Sequence, residues 1–261
     1  MATHYDYFGQ RDDTRVVEPV DKAKTSITKP KSKSNLTLSE AMPILMYHHI
    51  KNTDKSINAL ERGLSVPVPM FEEQMQLIHD LGFETMLMKD MTDETLKANE
   101  GKKLVITFDD GYEDIYTEAF PIMKQYGFAG VIYLITNDIN KKGYLSEKQI
   151  SELIDAGFEI GSHTLSHPNL ASAGIYYAQM QIENSKKNLD AMFEYNVTSF
   201  CYPSGKYNDR VVGLLKAAGY TNAVTTVEGF AGPKSNLYTL PRMRVRGTGK
   251  LADFAYKILS N

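Results

Sequence analysis

From Ala41 onward, short apolar runs alternate with stretches in which apolar residues recur every three or four positions. That alternation is the pattern of βα units wrapped around a parallel sheet. The runs that read as strands are residues 44–47, 104–108, 131–134, 158–162, 199–202, 223–227 and 238–240. Between them, Phe71, Met75 and Ile78 share one helical face, as do Ile150, Leu153 and Ile154, and Ile175, Ala178, Ile182, Ser185 and Leu189. Four pairs, Gly82-Phe83, Gly127-Phe128, Gly157-Phe158 and Gly219-Tyr220, each close a helical stretch and open an extended one. Glycine there takes the left-handed conformation that ends a helix, and the aromatic plugs the helix–sheet seam. The expected fold class is α/β, with a barrel-like (β/α) arrangement favoured over an open doubly wound sheet.

Residues 1–40 break this pattern: they are polar, rich in Lys, Ser and Thr, and carry no apolar period. They read as an N-terminal tail or linker, with Tyr5, Tyr7 and Phe8 able to dock locally, and residues 41–261 as one catalytic domain. A chain of 261 residues supports one substantial core beside such a tail. The net charge of −3 and the lack of a dense Lys/Arg cluster speak against a nucleic-acid partner. A single cysteine, Cys201, excludes an internal disulfide framework and a multi-cysteine zinc site, so a metal would sit on His and carboxylate ligands. No run approaches the roughly 18 apolar residues of a membrane span, and the N-terminus lacks the order of a signal peptide. If the protein is exported, its signal is expected to have been removed from this chain.

The sharpest chemical signal is a strand running from Leu104 straight into Asp109, Asp110 and Gly111. Two adjacent carboxylates repel unless a cation sits beside them; the competing reading is a solvated Asp-Gly turn. The second signal is His163 and His167, four apart at the end of another strand. On a helical turn that spacing suits one transition metal, although a bare His-x-x-x-His also occurs without one. Together the four residues offer a mixed carboxylate and imidazole set with room for water. Hydrolysis of an amide or ester then needs a carboxylate base and an acid for the leaving group. Met86, Met88 and Met91 read as packing, and His79 as an exposed helix position.

Thr107-Phe108-Asp109-Asp110-Gly111-Tyr112 followed by Ser162-His163-Thr164 and His167-Pro168 resembles the polysaccharide deacetylases of carbohydrate esterase family 4, the NodB homology domain, over about residues 43–246. The resemblance implies a distorted (β/α) barrel of about seven parallel strands with the site at their C-terminal ends. It implies Asp109 as general base and Asp110, His163 and His167 as ligands of a divalent metal, zinc first, with cobalt, nickel or iron also acceptable. A third motif is matched by Cys201-Tyr202-Pro203-Ser204-Gly205, whose backbone would donate to the oxyanion. Cys201 stands where many members carry Arg, and Ser204 where they carry Tyr. Arg242, with Arg244 second, is the candidate replacement partner of the base.

No histidine follows His167 to serve as the family's C-terminal acid. The segment from Pro43 to Ile50, with Tyr47-His48-His49, resembles the start of the biofilm poly-N-acetylglucosamine deacetylase branch, in which an N-terminal Tyr-His supplies that acid. His48 is assigned the role against the alternative of simple packing at the barrel rim. His49 would face the other way, because side chains alternate about a strand. Tyr202, Pro203, Ser204, Gly205 and Leu170 are the expected substrate contacts, with Leu170 and Tyr202 closing an acetyl pocket. Tyr112, Tyr202 and Tyr207 suit either a sugar groove or packing.

The function so implied is metal-dependent removal of N-acetyl groups from an N-acetylglucosamine polysaccharide, an exopolysaccharide or peptidoglycan. An O-acetyl esterase and an inactive carbohydrate-binding surface module are the alternatives. The expected setting is secreted or cell-surface, with tethering to cell wall or membrane surface through the N-terminal region.

Overall fold

The computed structural model describes residues 41–53, 57–99 and 102–259. The expected tail, with Tyr5, Tyr7 and Phe8, lies outside the described residues. Ten strands follow in order: β1 (Ile44–Tyr47), β2 (His49–Ile50), β3 (Ser65–Val66), β4 (Glu84–Thr85), β5 (Lys103–Phe108), β6 (Val131–Leu134), β7 (Glu159–Ser162), β8 (Ser199–Cys201), β9 (Asn222–Glu228) and β10 (Leu240–Arg244). The helices are α1 (Ala59–Leu64), α2 (Val68–Asp80), α3 (Asp93–Lys97), α4 (Phe120–Gln125), α5 (Glu147–Asp155), α6 (Ile175–Phe193), α7 (Asp209–Ala217) and α8 (Leu251–Leu259).

Seven strands close a ring in the order β1, β5, β6, β7, β8, β9, β10 and back to β1, with every pairing parallel. β4 takes over the ladder where β5 begins, and β2 and β3 pair apart from the ring. The ring strands are those the apolar pattern indicates, with one correction. The last is Leu240–Arg244, not residues 238–240, because Leu237–Thr239 form a 3-10 turn in which Asn236 Oδ1 accepts the Tyr238 N–H.

Alternation along each strand divides the side chains between two apolar layers. Ile44, Val105, Tyr133, Cys201, Val224 and Leu240 fill the barrel with Met86, Met88 and Met91, which are buried as expected. Leu45, Ile106, Phe108, Ile132, Ile160 and Phe200 point outward into a seam with the helices. Phe71, Met75 and Ile78 of α2 pack there, as do Ile150 and Leu153 of α5. On α6 the buried face runs Ala178, Gln181, Ile182, Ser185 and Leu189. Ile175, expected on that face, is instead 38% exposed, because the first turn of α6 stands clear of the barrel with Tyr176 at 85%. At the four helix–strand joints, Gly82, Gly127, Gly157 and Gly219 all have φ between 69° and 92°, and the aromatics after them are buried. His79 is exposed.

Gly161 is dictated by the barrel interior: a Cβ there would lie 2.5 Å from the Tyr133 ring. β7 can therefore pass Tyr133 only as glycine, and two residues further on the chain turns His163 inward.

Candidate active site

The side chains that alternate inward on β5 are Val105, Thr107 and then Asp109, just past the strand end. The Asp109 N–H still donates to the Tyr47 carbonyl (3.0 Å), so this residue is held by the β1 ladder. The chain then turns through two left-handed residues, Asp110 (φ 75°) and Gly111 (φ 82°). Gly111 also passes close to β6, where a Cβ would meet Leu134 Cδ2 at 2.9 Å. That turn presents the Asp109 and Asp110 carboxylates together at the barrel mouth.

His163 is placed the same way, its N–H donating to the Leu134 carbonyl at 2.9 Å. His163 and His167 do not sit on a helical turn as their spacing suggests. The segment bends through left-handed Thr164 (φ 69°) and His167 (φ 57°), with the His167 N–H donating to Thr164 Oγ1. The two rings still converge, 4.7 Å apart at 71°. Among the described residues, three of the six non-glycine positions with positive φ (Asp110, Thr164 and His167) lie in these two loops, and a fourth, Ser204, lies in the turn after β8. Strain of this kind concentrates where a fold over-determines a functional geometry.

One oxygen or nitrogen each from Asp110, His163 and His167 falls within 4.8 Å of the others. Asp110 Oδ1 is 3.4 Å from His163 Nε2 and 3.8 Å from His167 Nε2. His163 Nδ1 lies 2.7 Å from the Cys201 carbonyl, which can only accept, so Nδ1 carries a proton and Nε2 is the nitrogen that faces Asp110. This donor set, with Nδ1 anchored and Nε2 turned to Asp110, fits a divalent cation with open coordination positions.

Arg242 is fully buried and grips Asp109 with both arms of its guanidinium, Nη1 to Oδ1 at 2.7 Å and Nη2 to Oδ2 at 2.8 Å. Its remaining donors go to the Thr225 carbonyl, Thr107 Oγ1 and Cys201 Sγ. Burial opposes charge on Asp109, but this pair outweighs it and holds the carboxyl well below the usual carboxylate range. The small Cys201 side chain leaves room for a guanidinium that arrives from β10. Arg244, two residues on, reaches the cavity mouth instead of Asp109.

His48 follows Ile44 and Met46 on the inward face and places Nε2 3.8 Å from Asp109 Oδ2. Burial, reinforced by Arg242 and Arg244 against the pull of Asp109 and Asp110, lowers its pKa. His49 turns away, with Nδ1 2.6 Å from Asp114 Oδ2 and its ring stacked on Tyr112.

A cavity of about 320 Å³ joins His48, Asp109, Asp110, His163, His167 and Ser204, with Thr226, Arg244, Leu60 and Leu64 on its walls. Pro203, Tyr202 and Leu170 are buried and lie outside that lining. The Tyr202 hydroxyl donates to the Tyr238 carbonyl, and its ring stacks on Tyr207 at 4.6 Å. Gly205 is wedged against Thr226, and its N–H and that of Lys206 close the turn onto Tyr202 and Pro203. Pro203 has no N–H, so the amide this turn leaves for an outside acceptor is that of Ser204. Thr107, a partner of Arg242 that the sequence reading did not assign, could have been found from the 105–107–109 alternation. Leu60 and Leu64 come from a segment without apolar period and carry no such signal.

Residues 96–223 match the polysaccharide deacetylase family. YxkH of Bacillus subtilis, which bears a polysaccharide deacetylase name, is 37% identical over 207 residues, spanning 78% of this chain and 71% of that one. The poly-beta-1,6-N-acetyl-D-glucosamine N-deacetylase of Staphylococcus epidermidis is 27% identical over 226 residues, 77% of this chain and 78% of that one. Among solved structures, the Streptococcus pyogenes deacetylase PplD superposes with a TM-score of 0.77 at 30% identity, covering 84% of this chain and 98% of that one. BC0361, a polysaccharide deacetylase from Bacillus cereus, gives 0.74 at 28% identity over 84% and 69%.

Proposed function

Because this chain belongs to the polysaccharide deacetylase family, we propose that it hydrolyses N-acetyl groups on an N-acetylglucosamine-containing polysaccharide, with residues 41–261 as the catalytic unit. The observation that carries the reading is the paired arrangement at the barrel mouth: one carboxylate clamped by Arg242, and beside it a second converging with two imidazoles. A binding module has no use for that division of labour.

Asp110, His163 and His167 would hold a divalent metal, zinc first, with cobalt, nickel or iron fitting the same donors. When bound it supplies Lewis-acid polarisation of the acetyl carbonyl and a more acidic water. Asp109, kept ionised by Arg242, takes the proton of the attacking water on Oδ2. His48, neutral at the outset because burial lowers its pKa, takes that proton from Asp109 on Nε2, 3.8 Å away, and delivers it to the leaving amine nitrogen. The Ser204 N–H donates to the charge developing on the carbonyl oxygen. Tyr202, Pro203, Gly205 and Leu170 set the position of Ser204 and the His163–His167 loop from beneath. PplD, whose structure is described in complex with acetate, binds the product such a reaction releases.

The polymer places the enzyme outside the cytoplasm, secreted or tethered at the surface through residues 1–40. No helix of the described residues is long and apolar enough to cross a membrane.

Acetate release from N-acetylglucosamine oligomers and from an O-acetylated sugar, with added zinc, with chelator and with Asp109→Asn, tests the reading. Chelator-sensitive release from the oligomers, falling by about 10²–10⁴ in Asp109→Asn, is expected. Release from the ester alone would make the protein an O-acetyl esterase.

A further inference from the structure

Arg244 has no part in the clamp on Asp109, yet it lines three adjoining cavities. It faces the reactive one with Leu60 and Leu64. The same three residues, joined by Arg246, wall a second cavity of about 340 Å³ beside α1, whose described lining contains no carboxylate. Arg244 and Arg246 then border a third, of about 320 Å³, between β10 and α8, where Lys250 and Lys257 add positive charge against one acid, Asp253. The result is a cationic track that starts at the reactive centre and leads away from it.

The charge of Arg244 and Arg246 is not consumed internally. Among the described residues neither the Arg244 nor the Arg246 guanidinium has a hydrogen-bond or ion-pair partner. The nearby Glu228 carboxylate is taken by Lys257 Nζ (2.8 Å) and by the Arg244 backbone N–H (3.3 Å). Proximity of the two guanidiniums is unfavourable: burial, with Arg242 and Arg246 and against the pull of Asp109 and Glu228, lowers the Arg244 pKa. Two guanidiniums on the walls of the same two cavities, neither with a direct partner, suit a phosphate or carboxylate. A neutral polymer of N-acetylglucosamine has no group to satisfy them, and one already deacetylated would be repelled.

We propose that Arg244, Arg246 and Lys250 form a subsite for an anionic group, phosphate or carboxylate, borne by the substrate next to the sugar that is deacetylated. The subsite rests on the deacetylase reading for its context but is measured separately from it. Three β-linked N-acetylglucosamine pentamers, unmodified, 6-O-phosphorylated and 6-O-carboxymethylated, serve as probes at low ionic strength. The expected result is a KM for acetate release about tenfold lower for at least one anionic pentamer, lost at about 0.5 M salt and in the double variant Arg246→Gln/Lys250→Gln. The arm that responds tells phosphate from carboxylate. Equal KM for all three, or an anionic preference that survives the double substitution, overturns the subsite. Should no pentamer release acetate, the deacetylase reading fails, and calorimetric titration of the same pentamers into Asp109→Asn protein decides the subsite. Tighter binding of an anionic pentamer that the double substitution abolishes upholds it; equal or undetectable binding of all three refutes it.

Discussion

At the scale of single residues, the buried pair of Arg242 and Asp109 carries the greatest stake. Each charge is tolerable in the barrel only because the other is there, and removing one partner of such a pair costs about 3–5 kcal/mol. Arg242→Met is therefore expected to lower the stability to urea by about that amount and to abolish activity, read by equilibrium unfolding and acetate release. Glu159 is buried at the opposite end of the barrel. Burial raises its carboxyl to about 7, against hydrogen bonds from the Ser199 hydroxyl and the Lys89 N–H. The unfolded chain loses this proton near pH of about 4.3, whereas the folded protein keeps it until about 7. The stability it contributes is thus complete below the lower value and is lost as pH rises through the upper one. Glu159→Gln should remove that loss, so that its melting temperature relative to the parent rises between pH of about 5 and about 8; a constant difference across that range would refute the account.

At the scale of elements, the seven ring strands and their glycine–aromatic joints were legible because apolar runs and left-handed glycines are local signals. The two-residue strands β2, β3 and β4 are too short to carry a period. β10 was displaced because Pro241, Arg242 and Arg244 look unlike a buried strand. Its inward arginine makes sense only once Asp109, on a strand far along the chain, is seen beside it. The converging histidines were legible as a pair, but their left-handed loop was not, since Thr164 and His167 give no local hint of positive φ. Strain also appears away from the site. α6 ends on exposed Glu194 in the left-handed conformation (φ 47°, ψ 40°), where glycine is the usual residue. Glu194→Gly is expected to stabilise the protein by about 0.5–1 kcal/mol, raising the melting temperature by about 1–4 °C with catalysis unaffected.

At the scale of the whole molecule, the three proposed metal ligands come from two segments, after β5 and after β7, so a cation bound there would tie the two loops together only in the folded barrel. Zinc at about a thousand times its dissociation constant is expected to add about 4 kcal/mol to folding, seen as a rise in melting temperature that chelator reverses and that His163→Ala lacks. The ring itself is closed by β1, which lies between β5 and β10. A ribosome therefore delivers β1 and β5 first and must leave them without their last neighbour while the rest of the chain is translated. Asp109 likewise waits for a partner 133 residues downstream. A nascent chain halted before β10 would hold the three proposed metal ligands and the carboxylate that activates water, yet neither a sealed barrel nor a clamped base, so hydrolytic competence arrives at one moment, when β10 enters the ring.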